Sequence, residues 1–483
     1  MKVFNIKHTL AALAIGVLIL PGCKKFLDVN DNPNASKTAD VSQILPSAQA
    51  ATAYVLGADF QIYGGIWGQF WAQYWLSSQY KSIEQYQPVA TDFDRPWNIL
   101  YSGALTDADS LTQKAGVAKF NQYAAIGYLL KAYTFQMLTD GFGDIPLKAA
   151  LKGDANLSPS YDPQAEVYDT IFAYIDRAIA LADPASDFHP TADDLIFGGD
   201  MEQWIRFGNT LKLRAYLRIS AVAEAKASAG IAALYASGAE FLEDDALIEY
   251  IATGGNNNPL FAEMLGLGRT QNLIASATTV DTMNAASDPR VKIFYRPIPA
   301  SGLVIGIPQG SYNTTPSSTR STPSYIVGAR ASDDNSALAP VKFISAAESY
   351  FLQAEAVAKG YATGDAEALF IAGITASFEA YNVTGLATYL ANAGSAQWPV
   401  GEDAQVQKIL LQKYLAMCGN QNFEAWTEWR RTGYPNIFTL SEASNLGAGK
   451  FPLRMLYPNT EATRNLNFPG AKLVEDAVWW DVQ

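Results

Sequence analysis

The stretch IGYLLKAYTFQMLTDGFGDIP, residues 126–146, decides the fold class. Ile126, Leu129, Leu130, Tyr133 and Met137 recur at three- and four-residue steps, which puts them on one face of an α-helix. Asp140-Gly141 supplies a stop. GDIP at 143–146 forbids continuation, because proline has no amide hydrogen and pushes the residue before it out of the helical region.

Working outward, the same unit of stripe and breaker recurs. Asp162-Pro163 reads as an N-cap and first helical residue, with Val167, Ile171, Ile175 and Ala178 inward and Asp183-Pro184 as the end. Asp200 caps a helix that turns Trp204, Phe207, Leu211 and Ala215 inward. Ser345 and Glu348 form a capping box ahead of Ala347, Tyr350, Phe351 and Ala354, with Phe343 also facing inward. Gly360 closes that helix, and Asp365 opens its partner, which buries Phe370, Ile374 and Phe378. A last pair covers Asp403 to Cys418 and Asn422 to Arg431. Helices in successive pairs with short turns predict a mainly α, tetratricopeptide-like stack, though no strict 34-residue consensus is present.

The pattern fails between about 249 and 340. GGNNNP at 254–259 and a Ser/Thr/Pro/Gly-rich run from Pro297 to Pro340 are loop chemistry, interrupted by one helix near Val280 to Ala286. Loops this long are functional or disordered, and Tyr295, Tyr312 and Tyr325 favour the first. One domain over 41–483, with this loop-rich insertion on one face, is the predicted organisation.

The densest aromatic segment runs from Phe60 to Tyr101. Phe60, Tyr63, Trp67, Phe70, Trp71, Tyr74 and Trp75 fall at helical spacing, with Gln61, Gln69, Gln73 and Ser77 facing away. We read this as one helical stripe that packs the core. Gly64 and Gly65 weaken that helix unless close packing needs them. Beyond Ser77 the period breaks, and rings mix with polar groups and turn residues. Aromatic faces beside neutral amides suit sugar rings, which are apolar on the face and hydroxylated at the edge. The expected binding residues are therefore Gln79, Tyr80, Gln85, Tyr86, Trp97 and Asn98, together with Tyr295 and Tyr312 of the insertion. Replacement of Trp97 or Tyr86 by Ala is expected to cost affinity with little loss of stability.

Composition excludes several functions. A net charge of −13 over 483 residues opposes nucleic-acid binding, which needs clustered Lys and Arg. Only His8 and His189 are present, too few for a His-rich metal site, and a Ser-His-Asp system would rest on one of them. No Gly-rich loop leads into Lys-Ser/Thr. The Asp/Asn run from Asp28 to Asn34 lacks the Gly and terminal Glu of a calcium loop. No cofactor or metal is expected. Glu424 and Glu428 lie one helical turn apart, a spacing open to a glycosidase-pair reading, but Arg430 and Arg431 beside them favour a structural ion network. Cys418 reads as a core thiol.

At the N-terminus, Lys2 and Lys7 precede an apolar run from Leu10 to Leu20 and then LPGC at 20–23. This is a signal peptide, residues 1–22, with cleavage before a lone Cys. It resembles a lipoprotein signal, so Cys23 is the expected lipidation site and residues 23–40 a tether. Several acyl chains on one residue anchor stably, at about 0.8 kcal/mol per buried CH₂.

The ordered motifs CKKFLD (23–28), DGFGDIP (140–146), DPR (288–290), AESYFLQAE (347–355), FEAWTEWRRTGYP (423–435) and LRMLYP (453–458), with Asn465, resemble the SusD/RagB family of nutrient-binding outer-membrane lipoproteins of Bacteroidetes. The resemblance spans nearly the whole chain. It implies about four tetratricopeptide-like helix pairs carrying an irregular ligand-binding face. It also implies a non-enzymatic lipoprotein, anchored in the outer membrane and facing the exterior. Such a protein hands oligomers, oligosaccharide ahead of peptide, to a SusC-like TonB-dependent transporter. A helical-repeat scaffold that binds only a protein partner is the alternative of a different class.

Overall fold

The helix expected at the opening stretch is α3, Asn121–Phe142. It passes through Asp140-Gly141 and ends one residue before Gly143, whose φ of 82° lies in the region that glycine enters without cost. This is a computed structural model that describes residues 39–315, 319–392 and 394–483. Residues 1–38, which hold the expected signal peptide, Cys23 and most of the expected tether, lie outside the described residues. Contacts divide the chain at Asp40, and Val41–Gln483 forms one unit.

Within that unit, α1 (Val41–Gly57) and α2 (Asp59–Trp67) precede four helix pairs. These are α3 with α4 (Gln164–Leu181), α5 (Met201–Arg218) with α6 (Glu224–Ala236), α8 (Ala346–Ala358) with α9 (Ala366–Glu379), and α10 (Glu402–Ala416) with α11 (Asn422–Thr432). The insertion lies between the second and third pairs and carries α7, Ala277–Ala285. The mainly helical, paired architecture is as the sequence predicts.

Capping explains most boundaries. Asp200 accepts from the amides of Glu202 and Gln203, and Asp365 from that of Ala368. Ser345 accepts from Glu348 at 3.1 Å, while the Glu348 side chain turns to Arg214 and Gln421. At α4 the cap differs from expectation. Asp162 instead accepts from the amides of Leu147 and Lys148, and Asp144 takes the amide of Gln164 at 2.8 Å. The loop Asp144–Asp162 thereby closes on itself, and Ile145 pairs with Asp162.

Two short antiparallel ladders fix the insertion. Strand β2 (Ala246–Ile248) pairs with β4 (Val341–Ile344), so the two ends of the interruption meet. Strand β1 (Trp71–Gln73) pairs with β3 (Leu273–Ala275), Ala72 opposite Ile274, which ties the aromatic segment to the insertion.

That second ladder corrects the reading of one continuous aromatic helix. Helix α2 stops at Trp67, Gln69 adopts a left-handed φ of 58°, and the chain emerges as β1. Core packing of Phe60, Tyr63, Trp67, Phe70 and Trp71 holds nonetheless. Gln61, Gln69 and Gln73, expected to face away, are buried and bonded: the Gln69 side chain joins Thr439 and Thr278, and Gln61 joins Asn422. Paying for the left-handed Gln69 requires such over-determination. Gly64 and Gly65 are where α2 meets α11. A Cβ on Gly64 would lie 2.4 Å from the Phe423 nitrogen, and one on Gly65 2.5 Å from the Trp71 ring.

Candidate functional site: a braced loop beside the β1–β3 ladder

Beyond β1 the chain turns outward. Tyr74 packs with Ala72, Ile274, Ile307 and Tyr312, and then Trp75 and Leu76 stand 44% and 65% exposed. Two adjacent exposed apolar side chains on a loop need a reason, since surface loops are otherwise polar. The loop is not loose. The Gln73 side chain donates to the Tyr74 carbonyl at 2.9 Å and the Ser77 hydroxyl at 2.7 Å, and it accepts from the Tyr80 amide at 2.8 Å. One buried amide thus bonds three points of the turn.

Glu84 closes the arrangement from beneath. It is fully buried, at the end of the short helix Lys81–Glu84. Its carboxylate accepts from the Gln73 amide and, at 2.5 Å, from the Gly310 amide, so it joins β1 to the turn that leads into Tyr312. Burial pushes this carboxyl up to about 7, against the opposing effect of the Gly310 and Gln73 N–H groups. Gly310 has a φ of 80°, and a Cβ there would meet the backbone at Ala443 and the Ser441 hydroxyl at 2.4 Å, so only glycine fits.

The eight residues expected to bind ligand do not form one surface. Gln79, Tyr80, Gln85, Tyr86 and Tyr312 lie on the segments around Glu84, where Lys81 sits 5.2 Å from the Tyr312 ring centroid. Gln79 is exposed and Gln85 partly so, whereas Tyr80, Tyr86 and Tyr312 are buried. Trp97 is 3% exposed and packs instead against Tyr101 at 4.8 Å and Phe142 at 5.0 Å. Its neighbour Asn98 is exposed. Tyr295 is fully buried, donates to the Phe70 carbonyl at 2.8 Å and accepts from Cys418. The expectation that Tyr80, Tyr86, Trp97, Tyr295 and Tyr312 present faces to a ligand is therefore corrected. A chain of 49% hydrophobic residues has a large core to fill, and these rings fill it. Loop periodicity does not report burial.

Sequence reasoning missed Trp75, which it placed in the core stripe, and the braces Gln73 and Glu84. The Ser77-Ser78 turn directly after Trp75-Leu76 was the available signal for exposure. No local signal marks Glu84, one of whose two partners is the distant Gly310 amide.

Larger clefts lie elsewhere. One of about 490 Å³ is lined by Glu224, Lys359, Glu402, Asp403 and Tyr434, and another of about 570 Å³ by Glu202, Arg206 and Glu240. Both are rich in charge and neither includes a residue of the Trp75 loop. Among the described residues no group of acidic, His or Cys side chains could hold a metal ion.

The Glu424–Glu428 pair is structural. Arg218 bonds Glu424 and lies 2.8 Å from Glu428, and Glu428 also takes Lys413 at 2.9 Å and Arg431 at 2.8 Å. Arg431 reaches Glu355 at 2.8 Å, and Arg218 reaches Asp140 at 3.4 Å. Burial alone would raise the Glu428 carboxyl, but Arg431, Lys413 and Arg218 outweigh it and hold it well below the usual range. Carboxylates so engaged and so buried have no route to a glycosidic bond. Trp426 is buried, with the Arg430 guanidinium 3.6 Å from its ring centroid.

Residues 33–458 match the model of a SusD-like family described as "Starch-binding associating with outer membrane". Solved structures share the fold. A chitin-binding SusD homologue from Flavobacterium johnsoniae is 24% identical with a TM-score of 0.77, over 91% of this chain and 99% of that one. A SusD homologue from Bacteroides uniformis is 24% identical at 0.76, over 91% and 99%. One from Bacteroides vulgatus is 23% identical at 0.74, over 88% and 92%. No curated protein sequence matches the chain. No helix among the described residues is long and apolar enough to cross a membrane. With four helix pairs, an insertion held by two ladders and a family model spanning most of its length, this chain belongs to the SusD-like family, whose members bind rather than catalyse.

Proposed function

We propose that this protein binds a nutrient oligosaccharide at the cell surface and delivers it to a SusC-like TonB-dependent transporter, held to the outer membrane by lipid on Cys23. The single observation that carries the binding reading is Trp75, exposed beside Leu76 on a turn that Gln73 and Glu84 brace. A rigid exposed indole stacks on the apolar face of a pyranose at little entropic cost. Gln79 and Gln85 retain solvent contact and are the proposed hydrogen-bonding partners, while Tyr80, Tyr86 and Tyr312 support the loop from below. The family description and the chitin-binding name of a relative favour a neutral glycan over a peptide. The lipid anchor rests on the LPGC motif, and the outward orientation and the transporter on family membership.

Isothermal titration against maltoheptaose, chitohexaose and a set of neutral peptides tests the reading. Heat with a glycan, at an affinity that falls about tenfold in Trp75→Ala, is expected. Heat only with peptides, or with nothing across the panel, refutes it.

A further inference from the structure

Glu84 braces the Trp75 turn, but the binding function proposed above makes no use of its being ionisable. It lies inside the molecule, on a helix of four residues, and no salt bridge among the described residues reaches it. Its two oxygens are divided between two segments distant in sequence, the Gln73 amide on β1 and the Gly310 amide on the turn before Tyr312. Those segments meet again nearby. The Gln309 side chain donates to the Trp71 carbonyl of β1 at 3.3 Å and to the Ile66 carbonyl at 2.9 Å, and the Glu442 amide donates to the Gln309 carbonyl at 2.8 Å. The ionisable groups on the surrounding segments are the phenols of Tyr80, Tyr86 and Tyr312, the Lys81 ammonium over the Tyr312 ring, and the exposed Glu442 carboxylate. The Tyr312 hydroxyl and the Gln309 side-chain oxygen are buried without partners, so this polar pocket is under-satisfied as well as closed.

We propose that Glu84 is a proton-linked clasp that positions the Trp75 loop against the Gly310–Tyr312 turn, tight when Glu84 is protonated and loosened as it ionises. This deepens the binding function proposed above and rests on it for its consequence, a weaker ligand grip at alkaline pH.

The sign follows from linkage. Burial raises the carboxyl from an ordinary 4.5 to about 7 while the clasp is closed. Opening lets water reach it and returns it toward the ordinary value. Closing therefore takes up a proton, and rising pH favours the open form. Between those two values the open-to-closed ratio climbs with pH, and above about 7 it levels off. From pH 6 to pH 8 the ratio rises about tenfold.

Amide hydrogen exchange reads this without any ligand, because opening exposes the two amides that Glu84 holds. Exchange of the Gln73 and Gly310 amides, corrected for the intrinsic pH dependence, is followed in the full chain between pH 5 and 9. His189, the one histidine among the described residues, sits in a loop with its Nδ1 against the Pro190 carbonyl, so His189→Gln is the control. The expected result is a loss of protection of about tenfold from pH 6 to 8, levelling off above that. It is retained in His189→Gln, flat in Glu84→Gln, and missing from the core of α3. Protection that does not change with pH overturns the proposal, as does the same slope across the whole chain or in Glu84→Gln. Should Glu84→Gln not fold, the local slope in the wild-type chain and in His189→Gln decides alone. Absence of glycan binding would count against the proposed function and leave the exchange result standing.

Discussion

Replacing Trp97 by Ala separates core from binding surface most cleanly. The ring is 3% exposed and packs with Tyr101 at 4.8 Å, Phe142 at 5.0 Å, and Tyr161 and Tyr457 each at 6.4 Å. Truncating a buried Trp removes its transfer free energy and leaves a cavity, at about 3–5 kcal/mol. Rigid neighbours on several sides limit collapse and favour the upper part of that range. For a unit the length of Val41–Gln483, about 1 kcal/mol shifts the melting temperature by about 1 °C, so a fall of about 3–5 °C is expected. Urea unfolding gives the same quantity through the midpoint at unchanged slope. Glycan affinity, measured below the transition, is expected to stay within about twofold. A stability loss below about 1 kcal/mol together with a large loss of affinity would refute the burial argument.

Four further outcomes follow from the same contacts. Trp75→Ala is expected to weaken glycan binding about tenfold, some 1.4 kcal/mol, with the melting temperature within about 1 °C of wild type; titration and calorimetry check both. Gly64→Ala forces a Cβ against the α11 backbone and is expected to lower stability by about 1–3 kcal/mol in urea titration, although alanine favours an isolated helix. Arg218→Met leaves Glu424 and Asp140 buried with less compensation and is expected to cost about 3–5 kcal/mol by the same assay. Glu428, held low by Arg431, Lys413 and Arg218 against its burial, contributes stability that is present above the ordinary carboxylate range and lost as pH falls toward its depressed value. Urea midpoints between pH 5 and pH 2.5 are expected to fall less steeply in Glu428→Gln than in wild type.

The helical architecture was legible because its signals are local. A stripe at three- and four-residue spacing, Asp or Ser at a cap and Gly after the last turn each act within a few residues, and α3, α5, α8 and α9 follow them. The aromatic segment misled for the opposite reason. Trp71 and Tyr74 continue the helical spacing of Trp67, but the partner that makes Trp71–Gln73 a strand is Leu273–Ala275, two hundred residues along the chain. Tertiary pairing overrides a local period where the partner offers a ladder. The binding residues were read from composition, and composition does not separate Trp97, sealed among four rings, from Trp75, two residues past a strand end. Glu84 shows the limit most plainly, as a carboxylate that bonds the Gln73 amide nearby and the Gly310 amide 226 residues along the chain.

The central claim is that ligand meets the exposed Trp75 loop rather than the buried rings or the charged clefts among the helices. The structure of the chain bound to an oligosaccharide found by titration tests it most directly. The account predicts a sugar ring stacked on the Trp75 indole, with atoms within about 4 Å and hydroxyls toward Gln79. A sugar seated in the cleft of Glu224, Glu402 and Tyr434, with Trp75 untouched, would contradict it.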